Sequence, residues 1–169
     1  MSYPNWNCYF MKMVYLIAGR SKDKMTHIGA VIVGPDHEIR STGYNSFPRG
    51  ILDNIDERQE RPNKYFYFSH AETNAICNAA LIGVSIKDCK IFTNGTPCCD
   101  CARNIINAGI REVIVDSMWE EVVKKKVDSP WNTHAEITRR LFLEADVTLS
   151  VFDGAKIGQV ERYFNGEFV

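Results

Sequence analysis

The residues best equipped for chemistry are Ser69-His70-Ala71-Glu72 and, further along the chain, Thr96-Pro97-Cys98-Cys99-Asp100-Cys101. They offer one imidazole, two thiols at i and i+3, and one carboxylate that is not needed as a ligand. A zinc ion held by His70, Cys98 and Cys101 keeps its fourth tetrahedral position open for water. That arrangement marks a catalytic site, because structural sites are closed by a fourth protein ligand. Glu72 is then placed to move protons for that water. The alternatives are a closed structural zinc site or plain buried cysteines, but no fourth ligand occurs at matching spacing. Cys99, at i+1 from Cys98, should point elsewhere and is not counted as a ligand.

Two helices must position these groups. Ser69-x-x-Glu72 reads as a capping box, predicting a helix that carries Ala75, Ile76, Ala79 and Ala80 on its apolar side. Pro97 fits the first turn of a second helix, with Ala102, Ile105 and Ile106 inward and Gly109 at its end. Cys98 and Cys101 then share one face. Both helix N-termini point at the metal, where their dipoles help keep the thiolates ionised.

The chain has 169 residues, enough for one domain with a sizeable core, and residues 1–169 are read as a single unit. Hydrophobic residues make up 45% and charged residues 24%, both ordinary for a globular protein. A net charge of −1 supplies no overall basic field for nucleic acid. The six cysteines follow no secreted disulfide pattern, and no signal peptide or long apolar run is read, so no membrane is expected. A reducing, cytoplasmic compartment is the expectation.

In chain order, residues 5–19 read as an amphipathic helix with Tyr9, Met13, Leu16 and Ile17 on one side, Cys8 being a packing residue. Arg20-Ser21-Lys22-Asp23-Lys24 is either a solvated turn or a site for a small anionic group such as a nucleotide phosphate. Residues 28–33 form a buried strand, 34–37 a turn and 38–44 the second arm of a hairpin. His27 and His37 flank the first strand as surface or edge residues. Residues 45–68 are irregular and polar, a length of loop that is often functional. The aromatic run Tyr65-Phe66-Tyr67-Phe68 either stacks on a base or packs the core, packing being the commoner outcome. Residues 89–93, 112–116 and 147–152 are further strands, and Cys77 and Cys89 sit in apolar settings. Residues 118–126 read as a short helix or an ordered loop. Thr133-His134-Ala135-Glu136 repeats the letters His-Ala-Glu, but no Pro-Cys-x-x-Cys follows, so His134 is structural. Thr133-x-x-Glu136 reads instead as a second capping box, opening a helix with Ile137, Leu141, Phe142 and Ala145 inward. The tail from Gly154 either closes the fold or packs on another subunit. Strands alternating with helices after an opening hairpin predict an α/β layered domain with a mostly parallel second half of the sheet.

His-x-Glu followed by Pro-Cys-x-x-Cys is the signature of zinc nucleobase deaminases. With Arg20-Ser21-Lys22-Asp23, Gly29-Ala30-Val31-Ile32-Val33, Gly43-Tyr44-Asn45, Phe47-Pro48-Arg49-Gly50 and Lys64-Tyr65, the chain resembles the deoxycytidylate (dCMP) deaminases of the cytidine deaminase superfamily from Trp6 to about Phe152. The resemblance implies a three-layer α/β/α fold on a five-stranded mixed sheet, a homohexamer, and hydrolysis of dCMP to dUMP and ammonia, which supplies dUMP for thymidylate synthesis. It makes His70, Cys98 and Cys101 the zinc ligands and Glu72 the catalytic residue. Glu72 carries a proton from the water that attacks C4 to N3 of the base, then helps protonate the leaving amine. Asn45 is similar to the family's sugar contact, Ser21, Lys22 and Asp23 to its phosphate-side loop, and Tyr65 is counted with the substrate-binding residues.

Family members often read Gly-Tyr-Asn-Gly in a loop tied to dCTP activation and dTTP inhibition through a Mg2+-bound triphosphate. Here Gly43, Tyr44 and Asn45 are followed by Ser46. A side chain there, or the loss of positive-φ freedom, would alter regulation or the phosphate length accepted, with dCTP as an additional substrate. No cysteine occurs between Cys8 and Cys77, so one zinc per subunit is expected, without the extra structural zinc of some members. A nucleic-acid base deaminase and a non-enzymatic zinc module are the competing readings; the near-neutral charge opposes the first and the open fourth ligand position opposes the second.

Overall fold

The computed structural model describes residues 5–124, 130–158, 160 and 162–168. Its centre is a five-stranded mixed sheet in the order β2-β1-β3-β4-β5. The strands are β1 (Gly29–Val33), β2 (Ile39–Tyr44), β3 (Lys90–Thr93), β4 (Glu112–Asp116) and β5 (Thr148–Phe152). β1 pairs antiparallel with β2 and β3, and β3, β4 and β5 run parallel. The opening hairpin and the parallel second half therefore stand as expected. The helices are α1 (Trp6–Ala18), the short α2 (Lys64–Tyr67), α3 (Ala71–Ile82), α4 (Cys99–Asn107), α5 (Ser117–Lys124) and α6 (Pro130–Glu144).

Alternation along the strands splits the core into two layers, because successive side chains leave opposite faces of a sheet. Ala30, Ile32, Ile91, Val113 and Val115 face one way and meet Ala71, Ala75 and Ala79 of α3, Ala102 and Ile105 of α4 and Phe142 of α6. Val31, Val33, Phe92 and Ile114 face the other way and meet Phe10, Met11, Val14 and Tyr15 of α1. The small residues of α3 let it lie directly on β2. A Cβ at Gly43 would come 2.3 Å from the Ala71 carbonyl oxygen and 2.4 Å from the Ala75 nitrogen. Gly43 thus serves a close helix–strand approach rather than an unusual φ.

Two helix expectations are corrected. α1 buries Phe10, Met11, Val14, Tyr15 and Ala18, whereas Tyr9 and Leu16 are exposed. The helix is apolar almost all the way round, so periodicity singles out no unique face; Met13 and Ile17 pack only at the core's edge. α6 opens at Pro130, not at Thr133, since proline suits a first helical position and the proposed cap lies inside the helix. Phe142 is buried and Leu141 partly so, but Ile137 is exposed. Of the two readings of residues 118–126, a short helix or an ordered loop, the structure has the helix: α5 covers Ser117–Lys124, and Lys125 and Lys126 lie outside the described residues.

The tail closes the fold. It adds a hairpin of β6 (Tyr163–Phe164) and β7 (Glu167–Phe168), with Phe164 bridged to Thr26. Arg162 is buried and meets Asp116 at 3.5 Å and the Tyr15 hydroxyl at 3.2 Å; that hydroxyl also donates to the fully buried Asp116 carboxylate. Burial, reinforced by the Asp116 charge, pushes the Tyr15 phenol well above its usual range. α1, β4 and the tail meet at this one polar point.

Candidate active site

Two helix N-termini converge beyond the C-terminal end of β3. His70 is the N-cap of α3 and Cys98 the N-cap of α4, where the Cys98 sulfur accepts from the Cys101 N–H. The capping box expected at Ser69 is not formed. Ser69 instead exchanges two backbone hydrogen bonds with Ser46, at 2.8 and 3.1 Å. Glu72 is buried toward the cluster, away from the backbone it would cap. Pro97 likewise sits one residue before the N-cap, and α4 ends with Ala108 as its cap and Gly109 beyond it at φ 75.

His70 Nδ1 lies 3.3 Å from Cys98 Sγ and 3.4 Å from Cys101 Sγ, and all three ligand atoms fall within 4.8 Å of one another. One edge of a zinc tetrahedron built from ordinary Zn–N and Zn–S bonds is about 3.5 Å long. The donor set therefore fits zinc, and no fourth His, Cys, Asp or Glu joins this group among the described residues. Cys98 and Cys101 are buried and Glu72 is 4% exposed, its Oε2 lying 3.7 Å from Cys101 Sγ. The Thr73 hydroxyl stands 3.6 Å from Cys101 Sγ and accepts from Asn104.

The three side chains also hydrogen-bond one another. Hydrogen bonding from Cys101, then from His70, pulls the Cys98 thiol down to about 4, while Cys101 is pushed up by holding that proton and by burial. His70 is raised to about 9, first by its hydrogen bond to Cys98 and then by the Glu72 charge, against desolvation. Burial pushes the Glu72 carboxyl up, against the pull of His70.

Cys99 turns away from the cluster, its sulfur 3.0 Å from His134 Nδ1 on α6. Cys89 is buried and its thiol is pushed up by burial, but Cys77 is exposed, which corrects the apolar setting expected for it.

The residues expected on the nucleotide side gather at a second centre. Asn45 accepts from the Ile28 N–H and donates to Asp23 and to the Thr26 carbonyl, each at 2.8 Å. The Ser21 hydroxyl donates to the Asn45 carbonyl at 2.8 Å. Asp23 also receives the Met25 N–H and the Lys64 ammonium, the latter at 2.5 Å with both side chains buried. Lys22 is exposed and pairs with Asp53 at 2.6 Å. Tyr65 is 55% exposed. The Tyr44 carbonyl and the Ser46 hydroxyl both accept from Asn74 of α3, at 2.8 and 3.2 Å. Ser46 does not adopt a positive φ, so the position makes no demand for glycine. Sequence reasoning assigned no role to Lys64 or Asn94. Asn94 is fully buried and joins β1 to the β3 end through the Gly29 N–H and the His27 carbonyl, each at 3.0 Å. A lysine beside an aromatic run was the only local signal for the first; nothing local marked the second.

The pattern of the family described as "Cytidine and deoxycytidylate deaminase zinc-binding region" matches residues 4–117. Deoxycytidylate deaminases of Mus musculus and Homo sapiens are each 38% identical over 155 residues, spanning 89% of this chain and 81% of theirs. The fold resembles that of dCMP deaminase from the cyanophage S-TIM5, solved in complex with dCMP and dUMP. That likeness has a TM-score of 0.63 at 21% identity and covers 90% of this chain and all of the phage one. A sheet of this order, a three-ligand cluster on two helix N-termini and these sequence matches have one reading: the chain belongs to the cytidine and deoxycytidylate deaminase family.

Proposed function

We propose that this chain hydrolyses dCMP to dUMP and ammonia, using one zinc ion per subunit and supplying dUMP for thymidylate synthesis. The observation that carries the reading is a buried carboxylate, Glu72, set against a His/Cys/Cys group with no fourth protein ligand among the described residues. Bound by His70, Cys98 and Cys101, zinc supplies a Lewis acid that lowers the pKa of a water in its open position. Glu72 takes a proton from the attacking water and delivers it to N3 of the cytosine. It then carries the proton of the hydroxyl added at C4 to the departing amine, as the bond from C4 to nitrogen breaks and the C4 carbonyl forms.

The substrate choice is supported by the relatives described as deoxycytidylate deaminases and by the dCMP and dUMP held by the phage protein. The net charge of −1 weighs against a polynucleotide. Asn45 is read toward the sugar, Tyr65 toward the base, and Ser21, Lys22 and Asp23 as the phosphate-side loop. Within that loop Lys22 brings the exposed cation, while Ser21 and Asp23 hold its shape.

A second reading, dCTP as an added substrate or as an effector bound with Mg2+ near Gly43, Tyr44 and Ser46, rests on Ser46 standing where family members often carry glycine. The family resemblance also carries a homohexamer, while the cysteine pattern supports a cytoplasmic setting and the length of 169 residues one deaminase domain. Exposed Leu81 and Ile82 on α3 support assembly. No helix among the described residues is long and apolar enough to cross a membrane.

The test is to give the zinc-loaded protein dCMP, dCTP and a cytosine-containing single strand separately and to separate the products by chromatography. dUMP formed from dCMP faster than product forms from the other two supports the proposal. Uracil formed only in the oligonucleotide overturns it.

A further inference from the structure

The turn that presents Cys98 is held from outside by α6. The Thr138 hydroxyl, fully buried, donates to the buried Pro97 carbonyl at 2.9 Å. One helical turn earlier, His134 Nδ1 meets Cys99 Sγ at 3.0 Å. Residues at i and i+4 share a helix face, so α6 grips the chain on both sides of Cys98 with one stripe. Arg139 adds a third connection through Glu120. Its guanidinium lies 3.4 Å from Glu120 Oε2, and Glu120 Oε1 accepts the Thr96 N–H at 3.2 Å as well as the Thr96 hydroxyl. Behind the same turn, a Cβ at Gly95 would come 2.7 Å from Trp119 Nε1, so this backbone has no slack toward α5.

Contacts at Thr96, Pro97 and Cys99 therefore fix the turn while leaving the Cys98 and Cys101 sulfurs turned to His70. The family pattern ends at residue 117, so His134, Thr138 and Arg139 lie beyond the region that defines the zinc site in sequence. We propose that α6 is a positioning element for the zinc site, with Thr138 and His134 as positioning residues that set how tightly the metal is held and how Cys98 is aimed. This rests on zinc as the ion of the His70/Cys98/Cys101 site and not on the identity of the substrate. Groups that orient metal ligands without touching the metal have this kind of influence, and their removal ordinarily weakens binding.

The experiment compares the full-length protein with Thr138→Val, Thr138→Ser and His134→Phe. Zinc affinity is read by competition with a chromophoric chelator, thiolate-to-metal absorption is read after cobalt substitution, and melting is followed for each metal-free protein. Thr138→Val, which keeps the shape and loses the hydroxyl, is expected to weaken zinc by about tenfold or more, with Thr138→Ser staying within about twofold of the parent. His134→Phe is expected to shift the cobalt charge-transfer band. Parental zinc affinity and an unchanged cobalt band in Thr138→Val and His134→Phe would overturn the proposal. A fall in metal-free melting temperature with unaltered zinc affinity would also overturn it, since the contact would then be structural only. None of these readouts uses dCMP turnover, so failure here and failure of the proposed reaction are separable.

Discussion

The His70/Cys98/Cys101 cluster and the buried polar centre around Asp23 are built in opposite ways. The first comes from two short motifs, each at the start of a helix, so that His70, Cys98 and Cys101 come together where α3 and α4 lie side by side. The second is a buried polar knot, Asp23 with Lys64 and Asn45, whose members come from three separate stretches of chain. Their side chains bond one another rather than offering a ring of open groups. The candidate chemistry is local in sequence, while the centre around Asp23 is shaped by long-range polar contacts. Damage to the first should stop catalysis and spare the fold; damage to the second should loosen the fold and spare the metal.

The largest expected effect belongs to the first centre. Glu72→Gln should retain one zinc per chain and lose roughly 10²–10⁴ in kcat, the usual contribution of a positioned proton carrier. Metal analysis beside steady-state kinetics checks this, and parental turnover in Glu72→Gln would remove the proton role.

Next comes the second centre. Lys64→Ala strands the Asp23 carboxylate, which is 2% exposed at its side chain, and breaking a buried pair this way costs about 3–5 kcal/mol. Urea unfolding measures the loss, with zinc affinity holding at the parental value. A change below about 1 kcal/mol would show that the pair is not what holds this loop.

Gly43→Ala tests the surface between the two regions, where α3 lies on β2. Forcing a methyl against the Ala71 carbonyl should destabilise by about 1–3 kcal/mol. Thermal melting of the zinc-loaded variant reads it, and an unchanged midpoint would show that α3 moves aside freely.

The smallest effect concerns pH. Burial lowers the His27 pKa in the folded chain, the Asp23 carbonyl contact opposing the shift. The unfolded chain therefore binds this proton more readily, and stability rises with pH up to about 6.5, the unfolded value, then levels off. The stabilisation is thus present above that value and lost as pH falls through the lowered folded pKa. His27→Gln should flatten this part of the stability–pH curve relative to the parent. An identical slope in both proteins contradicts the assignment.

What the sequence made legible follows the same division. Strand alternation, the opening hairpin and the His-x-Glu and Pro-Cys-x-x-Cys spacings are near-neighbour patterns, and the sheet and zinc-ligand cluster came from them. Where a local rule had two claimants, it misled. Glu72 satisfies the letters of a capping box yet is buried toward the metal ligands. Thr133 has the letters of a cap, but Pro130 begins the helix earlier. α1 is too uniformly apolar to reveal which side is covered. Nothing near Lys64 announces Asp23, and nothing near Thr138 announces Pro97, because both pairs are made only when distant segments pack.

The measurement that bears most directly on this account is the loss of cytosine absorbance from dCMP as metal-free protein is titrated with zinc. The account predicts that turnover to dUMP and ammonia rises with added zinc and saturates at one ion per chain. A chain loaded with one zinc that leaves dCMP unchanged would contradict it.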